Sequence, residues 1–173
     1  ERGKSIQSKK GELVCKKPFP SMPLKFWNDK NNKKFEKAYF QRFKNIWHHG
    51  DYAEVKKSGG YIIYGRSDAT LNPGGVRMGT AEIYSEVEKF KQVKESIAVG
   101  QSWDNDIRII LFVILNKGYD LNNDLVKKIK KQIRINASPR HVPEKIISVT
   151  DIPRTKNGKI VELAVKNTIE GNK

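Results

Sequence analysis

Apolar and polar residues alternate, cluster and repeat in a sequence of blocks that reads as strands interleaved with helices. Residues 12–15, Glu-Leu-Val-Cys, make a short strand candidate, followed by a bend through Pro18, Pro20 and Pro23 that continues neither a ladder nor a helix. Phe35, Tyr39, Phe40 and Phe43 recur at helical spacing and predict one amphipathic helix leading to Trp47. Gly59-Gly60 marks a turn, and the β-branched and aromatic run 61–64 after it predicts a buried strand. After a loop at Asn72-Pro73-Gly74-Gly75, Thr80 stands where it can cap a helix over 81–90, with Glu82 in the first turn.

Residues 96–101 and 108–115 read as strands, the second nearly continuous in Ile, Leu, Val and Phe and therefore central. Asn122 or Asn123 starts a helix whose Leu125, Ile129 and Ile133 form an apolar stripe opposite Lys127, Lys128, Lys130 and Lys131, with Pro139 limiting it. A strand over 145–149 and a helix over 159–169, with Ile160, Leu163 and Ala164 on one face, close the chain. Strands mixed with helices in this order predict an α+β fold with a boundary near Asp68.

With 37% hydrophobic residues, the 173-residue chain can build a modest core. It carries no long apolar run and no leader-like opening, so neither a membrane span nor a secretory signal is expected. The chain opens on Glu1 rather than methionine and reads as a cut through a longer protein. The single cysteine, Cys15, has no zinc-site partner and reads as a buried strand residue in a reducing cytoplasm.

The formal charge of +15 raises a nucleic-acid partner as an alternative function of a different class. Its distribution argues otherwise. Residues 1–50 carry 13 Lys or Arg against 4 acids and 124–173 carry 12 against 5, whereas 51–123 are balanced at 9 against 10. No helix-turn-helix, zinc-finger or aromatic RNA-binding pattern accompanies the excess. Solvated lysine faces with some attraction for phosphates explain it.

The chemistry concentrates in three stretches. Residues 64–84 pack Arg66, Asp68, Arg77 and Glu82 among Gly65, Gly74, Gly75 and Gly79, a grouping suited to a phosphate-bearing ligand. Before it, in Trp47-His48-His49-Gly50-Asp51, the Asp51 carboxylate can accept the two hydroxyls of a ribose, although Gly-Asp alone also reads as a turn. His48 and His49 have no third ligand beside them, and no metal site is expected. Asp68 fits a turn cap, the Gly74-Gly75 loop lets backbone approach a ligand, and Arg77 offers a guanidinium fork for phosphate. Far behind lies Pro153-Arg154-Thr155-Lys156-Asn157-Gly158-Lys159.

In this order the three stretches resemble the C-terminal motifs of the adenylate-forming acyl-CoA synthetases, a similarity running from Gly11 onward. The segment from Pro18 to Pro23, followed by Phe26-Trp27-Asn28-Asp29, resembles the branch of that family acting on acetoacetate; the acetate or propionate branch is the alternative. The resemblance implies ATP and CoA as ligands, Mg²⁺ accompanying ATP, and a missing N-terminal domain. Residues 1–67 would be the trailing, β-rich remnant of that domain, and 68–173 the mobile C-terminal domain with a small mixed sheet.

It also implies roles: ribose binding for Asp51 and Arg66, a hinge at Asp68, and passage of the CoA pantetheine past Gly74 and Gly75. Arg77 would face the nucleotide phosphate or the thioester-forming arrangement. Lys159, presented by the Gly158 turn, would be the catalytic lysine of adenylation. Arg134 is favoured over Arg140 for a CoA phosphate. The family's Ser/Thr/Gly-rich phosphate loop and acyl pocket do not occur in these residues, so the chain is not expected to catalyse alone.

Overall fold

A computed structural model of the protein describes residues 4–171. The chain divides into two compact units, Glu1–Ser67 and Asp68–Lys173. In the first, β1 (Lys10–Cys15), β2 (Trp47–Val55) and β3 (Tyr61–Arg66) form an antiparallel sheet in that order. Helix α1 (Lys33–Tyr39) is shorter than the aromatic spacing predicts. Its start is held by Asp29, whose carboxylate accepts the N–H groups of Lys34 (2.9 Å) and Phe35 (2.8 Å).

The rings explain the early end of α1. Tyr39 stacks on Trp47 with centroids 3.7 Å apart, and Phe19, Phe35 and Phe40 meet the same indole edge-on or steeply inclined. Phe40 therefore serves this cluster from the turn after α1, Phe43 packs on His48 instead with centroids 5.8 Å apart, and Trp47 opens a strand where a helix end was expected. Packing of large rings outweighs the helical period. Strand β3 also departs from expectation: Tyr61, Ile62 and Ile63 are exposed on an edge strand and not buried.

The second unit is α+β, as the sequence predicts. Strands β4 (Val93–Trp103), β5 (Asp106–Leu115) and β6 (Lys145–Ser148) form a mixed sheet with β5 central, antiparallel to β4 and parallel to β6. Successive side chains of β5 serve opposite faces. Ile109, Leu111 and Val113 join Leu71, Ile83, Val87 and the stripe Leu125, Ile129 and Ile133 of α3 (Asn123–Asn136). Ile110, with Ile97, Val99 and Ile152, packs on the other face against Ile160, Val165 and Ile169. Burial on both faces is why β5 is apolar without alternation.

Asn122 caps α3 by accepting the Leu125 N–H at 2.9 Å. Two helix ends differ from the sequence reading. Helix α2 spans Ala81–Val87, and buried Thr80 makes no side-chain cap; Glu82 reaches back instead to accept the Gly79 N–H at 3.1 Å. Helix α4 begins at Glu162, not at 159, and runs to Ile169. Leu163 and Ala164 are exposed, while Val165 and Ile169 take the inward face.

Candidate functional site

Within the first unit, sheet register makes a carboxylate–guanidinium site. Asp51 lies inside β2, directly across from Arg66 on β3, with Asp51 Oδ1 and Arg66 Nη1 3.5 Å apart. The strand period puts Trp47, His49 and Asp51 on one face. The Trp47 indole N–H donates to His49 Nδ1 (3.3 Å), which leaves His49 Nε2 as the protonated nitrogen facing Asp51 Oδ2 at 3.4 Å. The carboxylate is thus oriented from two sides and remains partly open.

His49 is the residue that sequence reasoning missed here; the signal was the i, i+2 spacing with Trp47 and Asp51. Its neighbour His48 points the other way, to Glu12 at 3.1 Å, in a polar group that also takes in Arg42 and Ser67. Among the described residues no group of three or more His, Cys, Asp or Glu is gathered where a metal could sit.

Gly50 is what allows Arg66 to lie over the strand. It has φ of 86°, and a Cβ there would stand 2.9 Å from Arg66 Nη2. The angle disfavours any other residue, and a Cβ would push the Arg66 guanidinium off the strand. Asp68 follows in an exposed turn just after β3, at the start of the second unit.

In the second unit, the glycine loop is closed at its base by reciprocal backbone bonds between Leu71 and Met78 (3.0 and 2.9 Å), both buried. Pro73, Gly74 and Gly75 form a tight 3-10 turn with φ of 57° at Gly74 and 72° at Gly75. Arg77 Nε donates to Thr70 Oγ1 at 3.0 Å within the same loop. Arg140, on the turn Pro139–His141, reaches Gly74 O at 3.4 Å. Arg134 is exposed in the last turn of α3.

Lys159 stands on a small β-turn platform. Thr155 and Lys159 exchange bonds (Thr155 N–H to Lys159 O, 2.8 Å; Lys159 N–H to Thr155 Oγ1, 3.1 Å), and Arg154 Nη1 donates to Gly158 O at 2.9 Å. Arg154 also pairs with Glu95 on β4, tying the platform to the sheet. The backbone is fixed and the Lys159 side chain is exposed, an arrangement that presents one ammonium to a partner.

Comparison with known proteins puts these features in context. Residues 82–159 match the model of a family described as AMP-binding enzyme C-terminal domain. Over 171 residues the chain is 57% identical to the acetoacetyl-coenzyme A synthetase of Rhizobium meliloti, a match covering 99% of this chain and 26% of that protein. It is 49% identical over 173 residues to the acetoacetyl-CoA synthetase of Xenopus tropicalis, again covering 99% and 26%. The solved acetoacetyl-CoA synthetase from Streptomyces lividans superposes with a TM-score of 0.91 at 40% identity, over 98% of this chain and 25% of that one. The chain spans about a quarter of the length of the curated relatives it matches.

Proposed function

We propose that this chain, which through residues 82–159 belongs to the AMP-binding enzyme C-terminal domain family, is the closing quarter of an ATP-dependent acetoacetate–CoA ligase. The observation that carries this reading is a likeness to proteins named for acetoacetate that runs through both units, well beyond the shared fold. The complete protein would join acetoacetate to AMP with release of pyrophosphate, then transfer the acyl group to the CoA thiol with release of AMP.

Asp51 would accept the ribose hydroxyls of ATP, with Arg66 as the second ribose contact and His49 fixing the carboxylate. Lys159 would bridge the carboxylate of the acid and the α-phosphate, where charge builds during in-line attack. Rotation at Asp68 would then replace Lys159 by the Gly74–Gly75 loop, past which pantetheine reaches the adenylate. Arg77 would steady the second arrangement, and Arg134 would meet a CoA phosphate. Among the described residues no His, Cys, Asp or Glu cluster could cage a metal, and Mg²⁺ would arrive bound to ATP and screen its phosphates. We place the protein in the cytoplasm, where ATP and CoA are available; among the described residues no helix is long and apolar enough to cross a membrane.

The test is to express the full-length protein that carries this chain, with the acyl pocket that these residues lack, and measure pyrophosphate release from ATP with acetoacetate, acetate and propionate. Acetoacetate should be strongly preferred, and the 173-residue chain alone should release none. A preference for acetate or propionate would reassign the substrate, and turnover by the chain alone would overturn the division of the site.

A further inference from the structure

Both backbone groups of Gly74 are held by charge. Its N–H donates to both carboxylate oxygens of Asp106, at 2.9 and 3.0 Å, and its carbonyl accepts from Arg140 Nη1 at 3.4 Å. The peptide before Gly74 is thus fixed through its N–H by an anion and the peptide after it through its C=O by a cation, so the two charges together hold the φ of 57° and ψ of 31° at Gly74.

Each clamp is itself fixed. Asp106 opens β5 and also accepts the Ile107 N–H at 2.7 Å, while the Arg140 N–H donates to Ser138 Oγ at 3.3 Å at the start of its own turn. The Asp106 carboxyl is held below the usual carboxylate range by the Ile107 and Gly74 N–H groups, with Arg140 assisting. It therefore stays ionised, and the clamp stays closed, at neutral pH. Neither residue belongs to the hydrophobic core, and both hold the backbone of one glycine in an exposed loop.

What the clamp leaves free is the next residue. A Cβ added at Gly75 would meet nothing within 4 Å, so nothing inside the unit demands a glycine there beyond its φ of 72°. Gly75 faces an open groove of about 640 Å³ shared with Asn72, Trp103, Asp104 and Asp106. The two carboxylates on that groove disfavour phosphate and suit a neutral amide chain.

We propose that Asp106 and Arg140 are positioning residues for the thioester-forming step, locking Gly74 so that the bare face of Gly75 stays open along the path of the CoA pantetheine arm. The inference rests on the function proposed above and adds two residues to it. An exposed loop without this clamp samples other conformers, and a displacement of order 1 Å at a reaction path costs up to about a hundredfold in rate.

The experiment compares Asp106→Ala, Asp106→Asn, Arg140→Ala and Gly75→Leu in the full-length ligase carrying this chain, with amide hydrogen exchange of the 173-residue chain beside it. Asp106→Ala should raise the KM for CoA or slow acyl transfer from preformed adenylate by about ten- to a hundredfold. Acetoacetate-dependent pyrophosphate exchange should stay within about twofold of the parent. Asp106→Asn, which keeps one acceptor oxygen, should recover most of the loss, and Arg140→Ala should fall between. In the chain alone, Asp106→Ala should strip protection from the Gly74 amide while Ile110 and Ile129 keep theirs, which separates loss of the clamp from loss of the fold. The proposal is overturned if Gly74 stays protected, or if Gly75→Leu blocks acyl transfer while Asp106→Ala leaves it unchanged. If Gly75→Leu is itself harmless to acyl transfer, the two-faced reading of the domain fails and the positioning role goes with it.

Discussion

At the scale of single residues, the proposed site rests on groups fixed by their neighbours, as Asp51 is by His49 and Arg66 and the Lys159 backbone is by Thr155. Lys159 is the sharpest case. Its backbone is locked by Thr155 and the turn it closes, yet its side chain is exposed among many other lysines, so only position distinguishes it. In the full-length ligase, Lys159→Ala should slow adenylate formation by about 10²- to 10³-fold, the usual effect of removing one donor aimed at developing charge. Acyl transfer from supplied adenylate to CoA should be far less affected. Rapid-quench measurement of the two half-reactions checks this, and equal damage to both would return Lys159 to the solvated surface. Asp51 and Arg66 were legible in the sequence through the order of motifs, whereas their pairing is a matter of register. His49 escaped notice because a histidine pair suggests metal before it suggests alternate strand faces. The contacts of Asp106 and Arg140 with Gly74 were not legible, because their partners are backbone groups and no side-chain pattern records that.

At the scale of elements, the sequence was most legible where one side-chain period dominated. The stripe of α3, its Asn122 cap and the unbroken apolar run of β5 all appear as read. It was least legible where tertiary contacts replace the local signal: α1 stops at Tyr39 because its aromatic residues pack on Trp47, and β2 was not foreseen because Gly50 interrupts its pattern.

Tyr84 joins several elements of the second unit. Its hydroxyl donates to Glu162 on α4 at 2.5 Å and accepts the Ala98 N–H of β4 at 3.0 Å, while α2 is stitched to α3 through Glu86, Gln132 and Asn136. Burial, then the Glu162 charge, pushes the phenol well above its ordinary value. A raised acid favours its neutral form in the fold, so its contribution is fully present below about pH 10 and is lost as pH rises above that value and the unfolded chain ionises first. Urea unfolding between about pH 9.5 and 11 should therefore show a steeper loss of stability in the parent chain than in Tyr84→Phe. The substitution should also lower stability at pH 7, by about 1 to 2 kcal/mol, since it leaves Glu162 and the Ala98 N–H without this partner. Parallel slopes would mean that the hydroxyl is not the titrating link.

At the scale of the whole molecule, the two units differ in how completely they cover their own sheets. The β4–β5–β6 sheet is buried on both faces by side chains of its own unit, and its core includes Leu71, Ile83, Leu111, Ile129, Ile133 and Ile152, each almost fully enclosed. The first unit encloses Phe35, Trp47, Tyr52 and Ala53, while Leu24 and Trp27 are over nine-tenths exposed and the edge residues Tyr61 to Ile63 lie open. Apolar burial supplies most of the free energy that offsets chain entropy, so a unit with few enclosed side chains opens at lower cost.

Residues 68–173 should accordingly fold as an independent unit when expressed alone, with a cooperative thermal transition close to that of the same unit within the complete chain. Amides of β4, β5 and α3 should exchange slowly, and those of residues 1–60 should exchange faster by at least about tenfold, a difference of roughly 1.4 kcal/mol in opening free energy. Ile129→Ala gives the internal control. It should cost about 2 to 5 kcal/mol and accelerate exchange throughout 68–173 while leaving β1 and β2 near their parent rates. Uniformly slow exchange from Leu13 onward, or acceleration of β1 and β2 together with α3, would mean that the chain unfolds as one cooperative body, and the boundary after Ser67 would then separate contacts without separating stabilities.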